Sequence, residues 1–282
     1  MALGAGDPTW FEERFPGPEL DPRTWLPHYL PAWSSRAASR AAFRIDDRGL
    51  TLELPVDHPV WCAGDHEPPL RVSGIQSASW SGPAGSTLGQ QRFREGQVVR
   101  EPQQRFEGWL PSAEHGPARV EISARMDLSP RSMAALWLSG VEDDEAQQRC
   151  GELCVFEVFG KDLGPAQAPS AEVGMGVKAF RDPALTHDFA APRLAIDVAE
   201  PHLYAVDWDA SEAVFSVDGR PVRRCARPPS YPLQLMLAVF DFPGWSRGDD
   251  DHLVPRMVVD RVAGSPYDLP PVRHHDGDRP AR

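Results

Sequence analysis

The sequence lacks the features that mark several large classes of protein. It has only four cysteines in 282 residues, Cys62, Cys150, Cys154 and Cys225, with no C-x-x-C pair and no histidine at metal-ligand spacing. We therefore expect no metal site and four reduced, mostly buried thiols. It also has no apolar run of the roughly 18 residues that a membrane-spanning helix needs.

An excess of positive charge is also lacking. The chain has 29 basic and 41 acidic residues and a net charge of −12. Such a surface repels phosphate backbones and anionic lipid headgroups, so we expect neither a nucleic-acid nor a membrane partner. A neutral polymer or a small neutral ligand is compatible with this charge.

No secretory signal is visible at the start of the sequence. Residues 1–8 contain neither a charged segment nor an apolar run, both of which a signal peptide needs. The sequence as it stands predicts a cytoplasmic protein. A secreted protein whose N-terminus has been trimmed would look the same.

Long uninterrupted helices are hard to place, because 30 prolines and 23 glycines are spread along the chain. Short apolar runs separated by turn residues recur instead, and this pattern is typical of an all-β protein. An Asp218-Gly219 step between two such runs predicts a hairpin. The clearest predicted strands are Gly49–Leu54, Ala118–Met126, Met133–Leu138, Leu203–Trp208, Ala213–Val217, Pro232–Phe240 and Arg256–Val262.

The organisation of the chain predicts one large domain over residues 1–264. Residues 81–105 and 160–172 are rich in glycine and polar or small residues and are predicted loops. Residues 265–282 have little apolar content, so we predict a flexible C-terminal tail. A single domain of this size is common among β-sandwiches.

One predicted strand, Gly151–Glu157, has two glutamates among apolar residues. Side chains on a regular strand alternate between its faces, so Glu152 and Cys154 share a face and Glu157 falls on the other. One extra residue in a β-bulge near Val155-Phe156 would return Glu157 to the face of Glu152. The two carboxylates would then line one groove.

Two carboxylates in one groove suit glycoside hydrolysis. One attacks the anomeric carbon while the other donates a proton to the leaving oxygen, and a separation of roughly 5–5.5 Å gives retained stereochemistry. Two glutamates on a strand more often form a solvated face than a catalytic pair. Here the strand is otherwise apolar, so its other face is expected to be buried and the glutamate face could line a groove.

The segment Gly151-Glu152-Leu153-Cys154-Val155-Phe156-Glu157 resembles the motif G-E-[IL]-D-[IV]-x-E of glycoside hydrolase family 16, which includes laminarinases and lichenases. Flanking segments resemble the family in the same order and extend the resemblance to residues 10–263. These segments are Phe11–Phe15, Gly116–Met126 ("YGRVEARAKM"), Ala134–Leu138 ("PAFWLL"), His202–Trp208 ("HTYAVEW"), Phe215–Gly219 ("FYVDG") and Leu235–Val239 with Trp245 ("LILNLAVGGxW").

The resemblance implies a concanavalin A-like jelly roll, that is, two antiparallel sheets with a concave glycan cleft. It implies Glu152 as the nucleophile and Glu157 as the general acid/base. It also implies an oligo- or polysaccharide partner, a monomer and no cofactor. Part of the family has a structural calcium ion, but we find no ligand cluster to assign to one. Trp137 corresponds to a tryptophan near the cleft, and the weaker candidates for stacking on sugars, for which core packing is equally open, are Trp80, Trp109, Trp208 and Trp245.

Two positions depart from the family pattern. Cys154 replaces an aspartate, and a thiol is a weak, mostly neutral donor near pH 7. Lys178 lies near the place of a histidine in many members. The leading hypothesis is a retaining endo-β-glycoside hydrolase or transglycosylase on a β-glucan-type or related neutral glycan. The alternatives are a non-catalytic carbohydrate-binding protein, its motif degraded at Cys154, and a structural or protein-binding sandwich.

Overall fold

The computed structural model describes residues 11–144, 146–250 and 252–265. Within these residues the chain forms short and long strands with very little helix. The strands are β1 (Phe11–Glu13), β2 (Ala42–Asp46), β3 (Gly49–Glu53), β4 (Arg71–Gln76), β5 (Ala78–Ser79), β6 (Phe106–Glu107), β7 (Ala118–Asp127), β8 (Ser132–Gly140), β9 (Glu152–Phe159), β10 (Ala171–Glu172), β11 (Gly174–Lys178), β12 (Asp188–Ala190), β13 (Arg193–Leu194), β14 (His202–Trp208), β15 (Glu212–Val217), β16 (Arg220–Ala226), β17 (Leu233–Asp241) and β18 (Arg256–Gly264).

The helical segments of the described residues are all short. The α-helix α1 covers Arg36–Ser39, and its first turn is capped by the Ser35 hydroxyl, which accepts a hydrogen bond from the Ala38 N–H at 3.1 Å. Single turns of 3-10 helix lie at Pro31–Trp33, Gly160–Asp162 and Pro243–Trp245. The prediction of an all-β protein is confirmed.

Two large sheets make up the fold, and all of their pairings are antiparallel. The larger has the order β16-β15-β14-β7-β18-β3-β2, with β1 also paired to β18, and the other has the order β12-β11-β9-β8-β17-β4. Neighbouring strands are often far apart in sequence, so the chain crosses repeatedly between the sheets. Two antiparallel sheets connected in this way confirm the expected sandwich. Two small sheets, β5-β6 and β10-β13, lie outside them.

The larger sheet follows the alternating pattern of its sequence. On β7, Val120 and Ile122 are fully buried in the core, whereas Arg119 and Glu121 point to the opposite face and form an ion pair at 2.8 Å. One apolar and one polar face is the usual state of an antiparallel sheet with one solvated side. The alternation in the sequence therefore predicts the orientation of this strand correctly.

The six-stranded sheet is apolar on both faces. Every residue of β8 and of β17 is buried, as their unbroken apolar runs predict. One face contributes Leu136 and Leu138 to the core between the two sheets. The other face contributes Ala135 and Trp137 to a second apolar cluster. Segments before and between the strands, at residues 29–33, 61–70 and 93–99, cover this second cluster.

The predicted hairpin at Asp218-Gly219 joins β15 to β16. Both turn residues have left-handed backbone, with φ values of 51° and 72°. Positive φ at both positions is the geometry of a type I′ turn, whose twist matches that of the flanking strands. The hairpin prediction is confirmed.

The first and last strands of the described chain, β1 and β18, pair with each other. Residues 266–282, nearly all of the predicted tail, lie outside the described residues. Within the part of the chain that the structure describes, no helix has the length and apolar character needed to cross a membrane.

Candidate active site

A bulge in β9 brings the two glutamates to one face. On β8, Leu136 pairs with Phe156 and Trp137 with Cys154, so Val155 has no partner there. The register with β11 shifts at the same place. Val155 and Phe156 consequently both point into the core between the sheets. The predicted bulge is confirmed, and its effect is that Glu152 and Glu157 flank the Cys154 side chain on the opposite face.

The Cys154 side chain lies between the two carboxylates. Its Sγ is 3.8 Å from Oε2 of Glu152 and 3.7 Å from Oε1 of Glu157. The thiol itself is fully buried beneath the pair. Burial, reinforced by the neighbouring carboxylates, raises the pKa of the Cys154 thiol well above its ordinary value. The thiol is therefore neutral, and the ionisable carboxyl groups on this face of β9 are those of Glu152 and Glu157.

Glu152 is the more deeply buried of the two, with 7% of its surface exposed. Burial raises its pKa to about 8, because the nearby Lys178 only partly offsets the burial and the charges of Glu157 and Glu142 add to it. Its Oε1 accepts a hydrogen bond from Nε2 of Gln91 at 3.1 Å. In the substrate-free site Glu152 is thus predominantly protonated at neutral pH.

Glu157 is paired with Lys178, which lies on the neighbouring strand β11. The Lys178 Nζ is 2.5 Å from Oε1 of Glu157 and 4.8 Å from the centre of the Phe189 ring. Burial lowers the pKa of Lys178, but the surrounding acidic groups, Glu157 and Glu152 among them, outweigh it and raise the pKa overall. The ammonium is therefore charged, and it forms an ion pair with Glu157.

Both carboxylates open into a cavity of about 290 Å³ on the outer face of the six-stranded sheet. Its walls are mainly aromatic and apolar, and a few charged groups converge at the carboxylates, as is typical of small-molecule and glycan sites. The lining residues are Tyr29, Leu30, Trp61, His66, Leu70, Gln91, Arg92, Phe93, Met133, Ala135, Trp137, Glu142, Cys150, Glu152, Glu157, Lys178, Phe180, Arg181, Phe240 and Phe242.

One side of the cavity is a group of interlocked aromatic rings. Trp61 contacts Tyr29, His66 and Phe93 with ring centres 5.2–5.6 Å apart. Tyr29 in turn meets Trp137 edge-on at 6.3 Å. Edge-to-face contacts of this kind hold aromatic rings in fixed orientations. The wall is therefore preformed.

The structure separates the tryptophans that the sequence suggested for sugar stacking. Trp137 lines the cavity as expected. Trp109 and Trp208 are each only 2% exposed and pack in the core between the sheets, so the prediction of stacking is wrong for these two. A side chain enclosed by the protein has no face to offer a sugar.

The remaining two tryptophans, Trp80 and Trp245, lie near the cavity without lining it. Trp80 is half-buried in a small separate cluster, and its indole N–H donates to the Val141 carbonyl. Trp245 stacks on Phe242 with ring centres 4.2 Å apart, and Phe242 lines the cavity. Trp245 thus supports the wall from behind.

The loops supply site residues that the sequence reasoning missed. Glu142 is 1% exposed, accepts a hydrogen bond from the Gln91 N–H at 2.5 Å and forms an ion pair with Arg181. Burial raises the pKa of Glu142 to about 7, although the hydrogen bond from Gln91 and the charge of Arg181 oppose it. Gln91, Glu142 and Phe180 all have left-handed backbone, with φ values of 49°, 58° and 46°. Strained backbone of this kind is concentrated at functional sites.

Among the described residues, no group of three or more histidine, cysteine or acidic side chains is arranged to hold a metal ion.

Comparison with protein families gives a match to one of them. The family model of the glycosyl hydrolases family 16 matches residues 112–260, which is more than half of the chain and includes β9, Lys178 and Trp137. No curated protein matches the chain by sequence.

Solved structures with the same fold cover nearly the whole chain. A GlcNAcα1-4Gal-releasing endo-β-galactosidase from Clostridium perfringens has a TM-score of 0.74 and 20% identity, over 94% of this chain and 64% of its own. The chain thus spans 64% of the length of that enzyme. A laminarinase from Flavobacterium sp. UMI-01 has a TM-score of 0.57 and 17% identity, over 90% of this chain and 98% of its own.

A third structure is the catalytic domain of an endo-1,3-β-glucanase (laminarinase) from Thermotoga petrophila RKU-1. It has a TM-score of 0.58 and 13% identity, over 92% of this chain and 97% of its own. Identities this low show a shared fold alone.

Proposed function

Because the chain belongs to glycosyl hydrolase family 16, we propose that it is a retaining endo-β-glycosidase, or a transglycosylase of the same mechanism, acting on a neutral glycan. The observation that carries this proposal is the placement of Glu152 and Glu157 on one face of β9, both in contact with the Cys154 sulfur. Both carboxylates line the same cavity.

The retaining form of the reaction needs two carboxyl groups roughly 5–5.5 Å apart, one of which attacks the sugar directly. In this site the Cys154 sulfur lies 3.7–3.8 Å from one oxygen of each carboxylate. A single thiol therefore spans the gap between them.

In the proposed reaction, ionised Glu152 attacks the anomeric carbon and forms a glycosyl–enzyme ester. Protonated Glu157 gives its proton to the leaving oxygen as the glycosidic bond breaks. Glu157 next removes a proton from a water molecule, which attacks the same carbon and releases Glu152. If the hydroxyl of a second sugar replaces the water, the same step transfers the glycan.

The proposed substrate is a β-linked neutral glycan. The cavity walls are aromatic and apolar, and two of its charged groups, Lys178 and Arg181, are paired with Glu157 and Glu142. The described lining residues do not form a cluster of unpaired positive charges of the kind that would bind an anionic sugar. The similarity in fold to an endo-β-galactosidase puts β-galactosidic glycans first for testing, followed by β-1,3-glucans and mixed-linkage β-glucans.

A glycan panel tests the proposal. The protein is incubated with β-galactans, mucin-type oligosaccharides, laminarin and lichenan, and reducing-end release is measured beside Glu152→Gln and Glu157→Gln. Both variants are expected to lose at least a hundredfold in activity, since each removes one half of the carboxyl pair. Glu172→Gln, a surface carboxylate of β10 paired with Arg193, is the matched control and is expected to keep full activity.

Stereochemistry provides the second measurement. Proton NMR of the first product formed is expected to show the anomeric configuration of the substrate. An inverted product would contradict the retaining mechanism. Glycan binding without turnover, with activity gained in Cys154→Asp, would favour the alternative of a carbohydrate-binding protein.

A further inference from the structure

The loop around Gln91 reaches across the outer face of the six-stranded sheet to Glu152. Gln91 lies in the long loop of residues 81–105 and is 61 positions away from Glu152 in sequence, yet its Nε2 is 3.1 Å from Oε1. Within the described residues, the Glu152 carboxyl has two polar contacts, this amide and the Cys154 thiol at 3.8 Å. A thiol is a weak donor, so the amide is the stronger of the two.

The loop is fixed on both sides of Gln91. The Gln90 carbonyl accepts a hydrogen bond from the buried Trp33 indole at 2.7 Å, and the Gln90 side chain accepts one from the Trp80 N–H at 3.1 Å. Gly89 lies so close to Trp33 that an added Cβ would come within 2.9 Å of the ring. This stretch of loop therefore has little freedom to move away from the sheet.

Gln91 itself is held in an unfavourable backbone conformation. Its φ of 49° lies in the left-handed region, which residues other than glycine rarely adopt. The Gln91 N–H donates to Glu142, and Glu142 is in turn paired with Arg181. The buried Glu142 carboxylate thus holds the backbone of Gln91 in place, and in this conformation the Gln91 side-chain amide contacts Glu152.

We propose that Gln91 is the positioning residue of the Glu152 carboxylate, and that its amide provides the directed hydrogen bond that the neutral, weakly donating Cys154 does not. This inference rests on the proposed function for its catalytic meaning. The hydrogen bond itself is independent of any activity. The amide carries no charge, so it favours the ionised form of Glu152 without neutralising it.

The test removes the amide and retains the length of the side chain. In Gln91→Met, the pKa of Glu152 is expected to rise from about 8 by about one unit, the effect of one hydrogen bond to a charged group. The shift is measured by carbon-13 NMR titration of glutamate side chains, with the Glu152 signal assigned by its loss in Glu152→Gln. The measurement needs no substrate.

Kinetics provide a readout that a merely structural role would not change. The productive form of the pair has Glu152 ionised while the pair as a whole holds one proton. A rise of about one unit in the pKa of Glu152 makes this form about tenfold rarer, so the plateau of the pH profile of kcat/KM is expected to fall about tenfold. The alkaline limb of the same profile is expected to move up by about one pH unit. Gln147→Met is the matched control, because the Gln147 amide donates to the Gly89 carbonyl at 3.2 Å, in the same loop but away from both carboxylates. It is expected to change neither quantity.

Each outcome decides a separate point. An unchanged titration of Glu152 in Gln91→Met, or an equal shift in Gln147→Met, would overturn the inference. A shifted titration in a protein that hydrolyses no glycan would support the hydrogen bond while refuting the proposed function. Should Gln91→Met fail to fold, Gln91→Asn repeats the titration, because its side chain is shorter by one methylene and cannot span the same gap.

Discussion

The burial of Glu152 makes the stability of the protein depend on pH in a predictable direction. Burial raises the pKa of Glu152 from 4.5 to about 8. Between these two values the folded state binds a proton that the unfolded chain has released. The free energy of unfolding should therefore fall as pH rises, by about 1.4 kcal/mol per pH unit for this one group.

The size of the effect follows from the two pKa values. Integrated from pH 5 to pH 8, Glu152 alone should reduce the free energy of unfolding by roughly 3–4 kcal/mol. Glu142, whose pKa is raised to about 7 by burial, acts in the same direction over pH 4.5 to 7. In Glu152→Gln the side chain at position 152 is neutral at every pH. The free energy of unfolding of this variant should therefore fall between pH 5 and pH 8 by roughly 3 kcal/mol less than that of the native chain.

Urea unfolding followed by tryptophan fluorescence at pH 5, 6, 7 and 8 measures this difference. The nine tryptophans provide the signal, and the slope of free energy against urea checks that unfolding remains two-state. Glu172→Gln, at the surface of β10, controls for the loss of one carboxylate. Parallel pH dependences for the native chain and Glu152→Gln would refute the burial of a neutral Glu152.

Two further predictions concern single positions with matched controls. Phe180 is 60% exposed at the mouth of the cavity, so Phe180→Ala should raise KM severalfold on a glycan that stacks there, with a stability change below about 0.5 kcal/mol. Leu88→Ala, at an exposed position outside the cavity lining, should change neither. Gly219→Ala places a side chain at φ 72° with no atom within 4 Å, so backbone strain alone should cost about 1 kcal/mol in urea unfolding. Gly244→Ala, equally uncrowded but without positive φ, should cost much less.

The strands and the carboxylate pair could be predicted because periodicity records which face of a strand is buried. The unbroken apolar run of β8 predicts burial on both faces, and the structure has it packed between two clusters. The five-residue spacing of Glu152 and Glu157 predicts a bulge, since no regular strand puts both on one face. In each case the information is local to a few residues.

The cavity walls could not be predicted in the same way. Gln91, Glu142 and Arg181 meet through hydrogen bonds between loops that are distant in sequence, and irregular loops have no periodicity to indicate a neighbour. The tryptophans show a different limit, because a large aromatic ring suits a core as well as a sugar. Trp208 lies four residues after Tyr204 on β14, so the two side chains share a face of the strand, and both point into the core. Alternation within the strand could therefore have excluded Trp208 as a sugar-stacking residue.

The position of one proton governs how well this site can perform the proposed reaction. Because its pKa is raised to about 8, Glu152 holds a proton in the substrate-free site, and Glu157 is the ion-pair partner of Lys178. The reaction instead needs Glu152 ionised and a proton on Glu157. Moving the proton between the two leaves the net charge unchanged, so the share of the productive arrangement is constant across the pH plateau. The Lys178 ammonium is 2.5 Å from Glu157, and its removal should favour the proton there. Lys178→Met is therefore expected to raise the plateau of kcat/KM severalfold, measured on the best glycan of the panel. A lower plateau would instead mean that Lys178 contacts the substrate.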